Sequence, residues 1–477
     1  MKDKKIKILF HGFGSAPVVL RHLIDISQKK RPEIEWHVIL PTMTHSYLME
    51  DIAERKNILY VEKELPSRPL GLPLNHMNKY QGSLIEDLEA QKRSWFKRNG
   101  DSFYKRGQDY YKIYKDFMLK KGITHYLCCT IETPEMKIAM AAAKELGIDV
   151  AYAANLRTIT GTMFSNSPYE TLPSYAEVNA HSLEAAKEFV ANFRSSPLPA
   201  YTPPSDVEIS EKYQERLECF IQPLPKRLFQ KIISAIKRPD LFEPEILRIS
   251  FLNNLPFLRD IYWRMKSIYN DKLSDIKDAD NLPEKYVLYP LQVTPESSIN
   301  VPAPYYVDQL RIIDALRMAM PNDHVLVVKE HRSGVSTRSA KMINIMKNKP
   351  GVAYASYKVS AMDAISRASI ITTVTGTMAL EALALGKPTL VFGRGMCADI
   401  HGGVTEIGNL PVIMKQMIGK SITAYEAAQR LAPYFSCRHP FIVGSTNMPD
   451  EPILKRGNIQ AFFDGYMKHI DRIAAER

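Results

Sequence analysis

The sequence predicts an α/β protein built from two Rossmann-like domains that face a cleft, with helical insertions. Three observations support this fold class. Short apolar runs alternate with helical patterns in two separate parts of the chain, as in proteins with parallel sheets. A stretch with little strand character separates the two parts. The chain has 477 residues, which is more than one hydrophobic core usually serves.

The first alternation predicts five strands. They are IKILFHGF (6–13), EWHVILPT (35–42), NILYVEKE (57–64), THYLCCTIE (124–132) and DVAYAAN (149–155). Helical patterns such as APVVLRHLIDISQKK and PEMKIAMAAAKELG lie between several of them. Residues 77–121, rich in Lys, Tyr and Glu, predict an amphipathic helical insertion. We place the N-terminal Rossmann-like domain at residues 1–190.

The second alternation predicts five more strands. They are KYVLYPLQ (285–292), DHVLVVKEH (323–331), GVAYASY (351–357), SIITTVTG (369–376) and PTLVFG (388–393). We place the C-terminal Rossmann-like domain at residues 284–425. Residues 191–283 predict a helical connector that includes the Pro/Ser-rich SSPLPAYTPPSD, and residues 426–477 predict C-terminal helices.

The composition excludes several classes of protein. With 45% hydrophobic and 24% charged residues, the chain is typical of a soluble globular protein. No apolar run reaches the roughly 18 residues that a bilayer-spanning helix requires. The N-terminal MKDKKIKILFHGFGSAP is basic and then apolar, but its apolar part runs directly into a glycine turn, so it predicts a buried strand and not a signal peptide. A cytoplasmic location is therefore expected.

The charge and the cysteines restrict the partners. A net charge of +11 favours anionic partners such as nucleotides, acidic glycans or an anionic membrane surface, although a generally basic surface has the same net charge. The sequence shows no clustered basic stripe or known module for nucleic acid, so no such partner is expected. The five cysteines form no CxxC pair, and we predict neither a disulfide framework nor a metal site.

Unusual polar residues follow the strands of the second domain, where ligands of open parallel sheets bind. Gln292 follows the first strand, and Lys329, His331 and Arg332 surround the end of the second. Imidazole and basic side chains at a strand end suit phosphate groups, and strand alternation predicts Lys329 and His331 on one side. Charged strand ends are also common without any ligand.

The stretch VTGTMALEALALG places Thr375, Gly376 and Thr377 between a buried strand and a helix. Free N–H groups and the helix dipole can hold an anion at such a position, and glycine allows close approach of the backbone. The alternative is an ordinary threonine N-cap. Glu381 in the following helix is either a site residue or a surface residue.

The first domain has its own candidates at strand ends. In FHGFGS, His11, Gly12 and Gly14 follow the first strand, but residue 17 is proline, so a dinucleotide fingerprint is not supported and a tight turn remains open. Glu132 precedes a helix and can act as a general base or as a helix N-terminal acid. Arg157 ends the next strand and either holds an anionic substituent or lies at the surface.

Residues 286–393 resemble the capsule polysaccharide biosynthesis glycosyltransferases of bacteria, the group that includes the Kdo transferases. The resemblance lies in YPLQVTPESSI, VVKEHR and VTGTMALEALALGKPTLVFGRG. In that family a histidine after a K-E or K-P strand end contacts a nucleotide phosphate and is usually followed by proline. Here His331 takes that position and is followed by Arg332.

Two further segments carry the resemblance. The family's Ser/Thr turn with E-A-L-x-x-G-K-P behind it matches Thr375 to Pro388, and its Q-x-x-P-E segment matches Gln292, Pro295 and Glu296. The resemblance implies a GT-B fold, no cofactor or metal, and a nucleotide sugar as donor, with CMP-Kdo or a related CMP-linked acid first. It also implies that the final helices of 426–477 pack back toward the N-terminal domain.

These implications assign roles to the candidates. The donor is expected at Gln292, Lys329, Arg332, Glu381 and the Thr375–Thr377 turn, with His331 as a catalytic residue. A glycan or lipid-linked glycan acceptor is expected at the N-terminal domain, with acceptor contacts at His11, Gly12, Gly14 and Arg157 and a catalytic carboxylate at Glu132.

Two other functions remain open from the sequence. A UDP-sugar 2-epimerase shares the fold and needs no acceptor, and a non-catalytic scaffold would bind a nucleotide sugar without turnover. Because polysaccharide acceptors are often lipid-linked, peripheral contact with the inner face of the inner membrane is a further expectation, through QKRSWFKRNGDSFYKRGQDYYKIYK (91–115). A solvated helix would have a similar sequence.

Overall fold

The structure is a computed structural model, and it describes residues 5–12, 16–40, 57–66, 100–129, 131, 134–197, 265–294, 296–443 and 455–476. The first half forms a six-stranded sheet in the order β3-β2-β1-β4-β5-β6. Its strands are β1 Lys7–His11, β2 Glu35–Leu40, β3 Ile58–Tyr60, β4 His125–Cys128, β5 Asp149–Asn155 and β6 Thr162–Ser165. The first five strands are parallel, and β6 runs antiparallel to β5.

Helices cover both faces of this N-terminal sheet. They are α1 Ala16–Lys30, α2 Val61–Glu64, α3 Gly100–Lys121, α4 Pro134–Glu145 and α5 Ala180–Ser195. The apolar stripes of α3 and α4 pack on one face with Leu9, Ile39 and Tyr126, while α1 packs on the other face with Ile8 and Phe10. Because helices bury both faces of β1 and β4, the sequences of these strands are nearly continuous apolar runs without alternating polar residues.

The second half forms a five-stranded parallel sheet in the order β11-β10-β7-β8-β9. Its strands are β7 Tyr286–Pro290, β8 Val325–Lys329, β9 Val352–Ala355, β10 Ile370–Thr373 and β11 Thr389–Val391. Counted from β9, the chain order is third, second, first, fourth, fifth, which is the order of the parallel strands in the N-terminal sheet. Each sheet therefore has a switch point between its first and fourth strands, where α/β proteins bind ligands.

The remaining described helices surround the C-terminal sheet or join the two halves. They are α6 Ser297–Asn300, α7 Gln309–Ala319, α8 Ala340–Lys347, α9 Ala361–Arg367, α10 Met378–Ala384, α11 Met396–Asp399, α12 Leu410–Met417, α13 Ala424–Ser436 and α14 Arg456–Ala475. Residues 265–272 are also helical. Short 3-10 turns lie at Arg157–Ile159, Ala279–Asn281, Pro304–Tyr306 and Ile407–Asn409. Within the described ranges, no helix is both long and apolar enough to span a bilayer.

Two apolar clusters join the halves. Helix α5 packs along α13, and one cluster combines Leu156 and Met163 with Leu380, Leu383 and Met396. Helix α14 lies against α1 and completes the core of the N-terminal sheet with three large side chains, Ile459, Phe462 and Phe463. The two sheets are thus held together, and the predicted fold class of two Rossmann-like domains facing a cleft is confirmed.

The structure corrects three local predictions. Residues 61–64 form the short helix α2 and not part of a strand, because Glu62, Lys63 and Glu64 are charged helix formers with no apolar alternation. Strand β6 lies in a region where the sequence indicated no strand; its four residues are too few for a period-two pattern. Several other strands end two to four residues earlier than predicted.

A cluster of aromatic rings and two buried histidines lies beneath α14. The ring of Phe164 is 5.0 Å from that of His469 and 5.2 Å from that of His439, and His469 Nδ1 lies 2.8 Å from the Tyr175 hydroxyl. Burial lowers the pKa of His469 to about 3 and that of His439 to about 4. Both imidazoles are therefore neutral in the folded protein at neutral pH.

We predict that acid weakens the fold through these histidines. An unfolded His has a pKa of about 6.5, so below that pH the unfolded state binds more protons and the free energy of unfolding falls. Replacing His469 by Gln should reduce the loss of stability between pH 7 and pH 5 by about 2 kcal/mol, measured by urea unfolding at both values. The exposed His181, replaced by Gln, is the control. Equal losses in the His469→Gln variant and the parent would contradict the prediction.

Candidate functional site

The switch point of the C-terminal sheet brings Gln292 and the Thr375–Thr377 turn together. The Gln292 side-chain amide donates to Thr373 Oγ1 at 3.2 Å, and the backbone N–H of Gly376 donates to the same oxygen at 3.2 Å. Thr373 is the last residue of β10, so one hydroxyl holds the residues that follow β7 and β10. We call Thr375–Thr377 the donor turn from here on, after its predicted role.

The three residues of the donor turn differ in their surroundings. Thr375 is buried, and its hydroxyl donates to the Ser298 carbonyl at 2.5 Å. A Cβ at Gly376 would lie 2.9 Å from Thr373 Oγ1 and 3.0 Å from Gln292 Nε2, so a larger residue cannot fit without moving them. Thr377 precedes α10, is exposed, and makes no side-chain capping bond. Two of the three residues are therefore explained by packing, and Thr377 presents its side chain to solvent.

A buried carboxylate organises the end of β8. Glu330 is 1% exposed, and both of its oxygens bind Arg338, at 2.8 Å from Nη2 and 3.0 Å from Nε. The Tyr354 hydroxyl and the backbone N–H of His331 donate to the same carboxylate at 2.8 and 2.7 Å. Four donors satisfy the charge of Glu330, as a buried ion requires.

Arg338 also ties this cluster to the neighbouring strand. Its Nη2 donates to the Gln292 carbonyl at 3.1 Å, and the Gln309 amide donates to that carbonyl at 3.1 Å. The residues after β7 and β8 are thus fixed relative to each other. The sequence prediction named Gln292 and His331 but missed Arg338 and the role of Glu330, which together hold them.

Lys329 is buried, with its Nζ 3.4 Å from the carbonyls of Glu330 and Tyr357. Burial lowers its pKa to about 8, against the opposing effect of the Glu330 and Glu381 carboxylates. Glu381 is buried in the first turn of α10, so it is not the surface residue of the alternative interpretation. These two residues lie beneath the site, and Lys329 is not exposed for direct binding of a phosphate.

His331 and Arg332 are exposed at the same strand end. His331 Nδ1 lies 3.2 Å from the Ser333 backbone N–H and accepts from it, which leaves the proton on Nε2. The surrounding protein lowers the pKa of His331, mainly through partial burial, although the Glu296 and Glu330 carboxylates oppose that effect. The predicted strand alternation does not apply to His331, because β8 ends at Lys329.

The first-domain candidates are placed differently from the prediction. His11 is fully buried, with Nδ1 2.8 Å from the Tyr126 hydroxyl, and burial lowers its pKa to about 3. The Gly12 N–H donates to the Ile39 carbonyl at 2.9 Å. His11 therefore has no exposed surface for an acceptor, which corrects that assignment. Gly14 and Glu132 lie outside the described residues, as does Pro295.

Arg157 reaches across to the C-terminal half. Its Nη2 binds both carboxylate oxygens of Glu170, at 3.1 and 2.8 Å. Its Nη1 donates to Cys397 Sγ at 2.8 Å and lies 3.4 Å from the Thr375 carbonyl. The guanidinium is thus paired with a neighbouring carboxylate and largely enclosed, so Arg157 is not a free surface residue. Its predicted contact with an anionic substituent of the acceptor stays a prediction. Sequence analysis missed Glu170 and Cys397.

A cleft with a volume of about 170 Å³ is lined by residues of both halves. Its walls include Ile131, Arg157 and Glu170 from the N-terminal half, and Ser297, Thr375 and Arg394 from the C-terminal half. The Arg394 guanidinium lies 4.0 Å from the centre of the Tyr169 ring. Of the described residues predicted from the sequence, Thr375 from the donor set and Arg157 from the acceptor set line this cleft, whereas Gln292 and His331 do not.

Comparison with known proteins concerns mainly the C-terminal half. Residues 253–420 match the family model described as "Capsule polysaccharide biosynthesis protein". The resemblance to this family is confirmed for that segment. It contains the whole C-terminal sheet, Gln292, His331 and the donor turn. No curated protein matches the sequence.

Solved structures are similar at low identity, and two of them are of Thermosulfurimonas dismutans KpsC. The beta Kdo 2,7 transferase has 15% identity over 67% of this chain and 79% of its own, with a TM-score of 0.34. The beta Kdo 2,4 transferase has 13% identity over 72% and 87%, with a TM-score of 0.36. Methanocaldococcus jannaschii UDP-GlcNAc 2-epimerase has 12% identity over 89% and 98%, with a TM-score of 0.26. The fold assignment rests on the two sheets and not on these superpositions.

We predict that the buried pair is essential for stability. Replacing Glu330 by Gln leaves the Arg338 charge without its partner, so the free energy of unfolding should fall by about 3–5 kcal/mol in urea unfolding. The exposed Lys285–Asp323 pair, 3.0 Å apart, is the control, and Lys285→Gln should cost less than about 1 kcal/mol. Similar small losses in both variants would rule out this role for Glu330.

We also predict that the donor turn tolerates no side chain at Gly376. In Gly376→Ala the new Cβ would displace the Gln292 amide from Thr373, with an expected loss of about 1–3 kcal/mol in urea unfolding. Gly408→Ala is the matched control, since a Cβ there would meet no atom within 4 Å. If Gly376→Ala is as stable as Gly408→Ala, the turn is less tightly packed than the structure indicates.

Proposed function

We propose that the protein is a glycosyltransferase of bacterial surface polysaccharide biosynthesis. It transfers a sugar from a nucleotide-activated donor to a glycan acceptor. One observation carries this proposal. The segment that matches the capsule polysaccharide family is the C-terminal sheet, and its switch point carries Gln292 and the donor turn beside His331. The switch point of an open parallel sheet is the place where α/β proteins bind nucleotides and other ligands.

The donor is proposed to lie along the carboxyl ends of β7, β8 and β10. His331 Nε2–H and the Arg332 guanidinium are exposed donors that suit the oxygens of a phosphate. Gly376 lets the backbone come close to the ligand, and the Thr377 hydroxyl is exposed beside it. Lys329 and Glu381 support this surface from below. In this proposal basic side chains offset the charge of the leaving phosphate.

The donor sugar is proposed to be Kdo or a related acid carried by CMP. This part of the proposal rests on the sequence resemblance to the group that includes the Kdo transferases. The net charge of +11 also favours acidic ligands.

The acceptor is proposed to enter from the N-terminal side of the cleft. Ile131 lines the cleft, and the next residue is Glu132, the predicted catalytic carboxylate, which lies outside the described residues. A carboxylate there would take the proton of the attacking hydroxyl as a general base. Arg157 belongs to the same wall of the cleft, but its partner is Glu170.

Contact with a membrane through residues 91–115 stays part of the proposal for a lipid-linked acceptor, and residues 91–99 lie outside the described residues. Further along α3, Lys112, Asp116 and Lys120 are exposed at four-residue intervals and alternate in sign. This pattern is typical of a solvated helix with charge pairs at i, i+4, which is the alternative that the sequence left open.

We predict selective stabilisation by a cytidine nucleotide. Thermal unfolding is measured with CMP, CDP, UDP, GDP and ADP in turn. A ligand at a hundred times its dissociation constant adds about 2.7 kcal/mol, which raises the melting temperature by several degrees. The shift with CMP should be lost in His331→Ala and kept in Arg311→Gln, because Arg311 is exposed and pairs only with the neighbouring Asp308 among the described residues.

Other outcomes separate the alternatives. A shift with UDP and none with CMP would move the donor to a UDP-sugar and favour the 2-epimerase, which an acceptor requirement then tests. No shift with any of the five nucleotides would contradict the donor site, and the scaffold function would gain.

A further inference from the structure

The Arg157–Glu170 pair occupies an unusual place in the fold. Both residues belong to the N-terminal half, and both side chains are largely enclosed, with 17% and 19% exposed. Yet Arg157 is bonded to the C-terminal half through Cys397 Sγ and the Thr375 carbonyl. The pair is the polar contact between the N-terminal wall of the cleft and the donor turn.

The backbone at both residues is strained. Arg157 has a φ of +58° and Glu170 a φ of +55°, in the left-handed region. For residues with a Cβ this conformation costs roughly 1–2 kcal/mol each, so surrounding contacts must impose it. The Asn155 side chain accepts from the Arg157 N–H at 2.7 Å, and the Glu170 N–H donates to the Ser167 carbonyl at 3.4 Å. Two strained residues forming one ion pair at a cleft indicate a function for the pair.

The loop that carries Glu170 is packed tightly against Arg394 and Gly395, which follow β11. A Cβ at Gly395, which has a φ of +113°, would lie 2.9 Å from the Tyr169 carbonyl oxygen. The Arg394 guanidinium stacks on the Tyr169 ring. Glycine at 395 therefore permits the close approach that brings Glu170 to Arg157, and the loop is held on the C-terminal half at adjacent positions.

The contacts of the Arg157–Glu170 pair fix the orientation of two peptide groups in the donor turn. Cys397 Sγ lies 3.5 Å from the carbonyls of both Thr375 and Gly376, and Arg157 Nη1 binds this sulfur and the first of these carbonyls. In a trans peptide the N–H points opposite to the C=O. Holding the two carbonyls toward Cys397 therefore points the N–H groups of Gly376 and Thr377 away from it.

We propose that Glu170, acting through Arg157, is a positioning residue for the donor turn. It keeps the guanidinium over Cys397 and Thr375, so that the turn is in its binding geometry only when the N-terminal half is docked on it. Binding of the donor in the C-terminal half is thereby coupled to a loop of the N-terminal half. The inference rests on the proposed function, since it takes the donor turn as part of the nucleotide site.

The test combines nucleotide affinity with three variants of the full-length protein. Glu170→Gln keeps the size of the side chain and removes its charge, Glu170→Asp keeps the charge, and Asp323→Asn breaks the exposed Lys285 pair as a control. The probe is whichever of CMP, CDP, UDP, GDP and ADP stabilises the parent most, and the dissociation constant is measured by calorimetry well below the melting temperature of each variant.

We expect the dissociation constant to rise roughly tenfold in Glu170→Gln. In Glu170→Asp it should lie between the values of Glu170→Gln and the unmodified protein, and in Asp323→Asn it should stay unchanged. A lower melting temperature of Glu170→Gln with an unchanged dissociation constant would show a purely structural role and overturn the proposal. An unchanged constant and melting temperature would overturn it as well.

A second measurement needs no nucleotide. Cys397 is 2% exposed and lies beneath Arg157. Release of the Arg157 guanidinium in Glu170→Gln should therefore speed the alkylation of Cys397 by N-ethylmaleimide about tenfold. Alkylation is measured by peptide mass spectrometry, with the buried Cys437 as the internal reference. If the unmodified protein binds no nucleotide, the proposed donor site is refuted. The labelling experiment still tests whether Glu170 positions Arg157 over Cys397. Equal labelling rates in the parent and in Glu170→Gln would overturn the inference whatever the nucleotide result.

Discussion

The bidentate pair between Glu330 and Arg338 is the interaction on which the arrangement of the C-terminal half depends. A carboxylate with 1% exposure is stable only when every lone pair has a donor, and here a guanidinium, a phenol and a backbone amide supply them. These donors come from different parts of the chain, and Arg338 also holds the carbonyl of Gln292. The buried charge of Glu330 thus fixes the ends of β7 and β8 relative to each other. His331, which directly follows Glu330, is therefore held at a defined position on the surface.

The two sheets add a second constraint, which comes from topology. Their parallel strands follow the same order, so each has a switch point at its first and fourth strands, and the apolar cluster that includes α5 and α13 joins the two halves. The polar residues of the cleft come from both halves and contact one another directly, as Arg157 and Thr375 do. The N-terminal half therefore contributes to the geometry of the C-terminal site as well as to the opposite wall.

Much of this arrangement follows from sequence, and the exceptions have physical reasons. Alternating apolar runs predicted ten of the strands, and the rule that ligands bind at the carboxyl ends of strands predicted Gln292, His331 and the donor turn as site residues. The role of Glu330 was not predictable, because its burial depends on Arg338, which returns to it only after eight residues of irregular chain. Likewise, the left-handed conformation of Arg157 is not evident from the sequence, because it accompanies contacts with Glu170 and Cys397, which are 13 and 240 residues away along the chain.

The packing of α14 has a consequence for how the chain is made. The apolar face of the N-terminal sheet that holds Ile8, Phe10 and Val38 is completed by Phe462, Phe463 and Ile470, which are translated more than four hundred residues later. At ordinary rates of synthesis the interval is on the order of tens of seconds. During that time the first sheet is present with part of its core uncovered, a state in which apolar surface invites association with other chains. The core of the N-terminal sheet can therefore be completed only after α14 has left the ribosome.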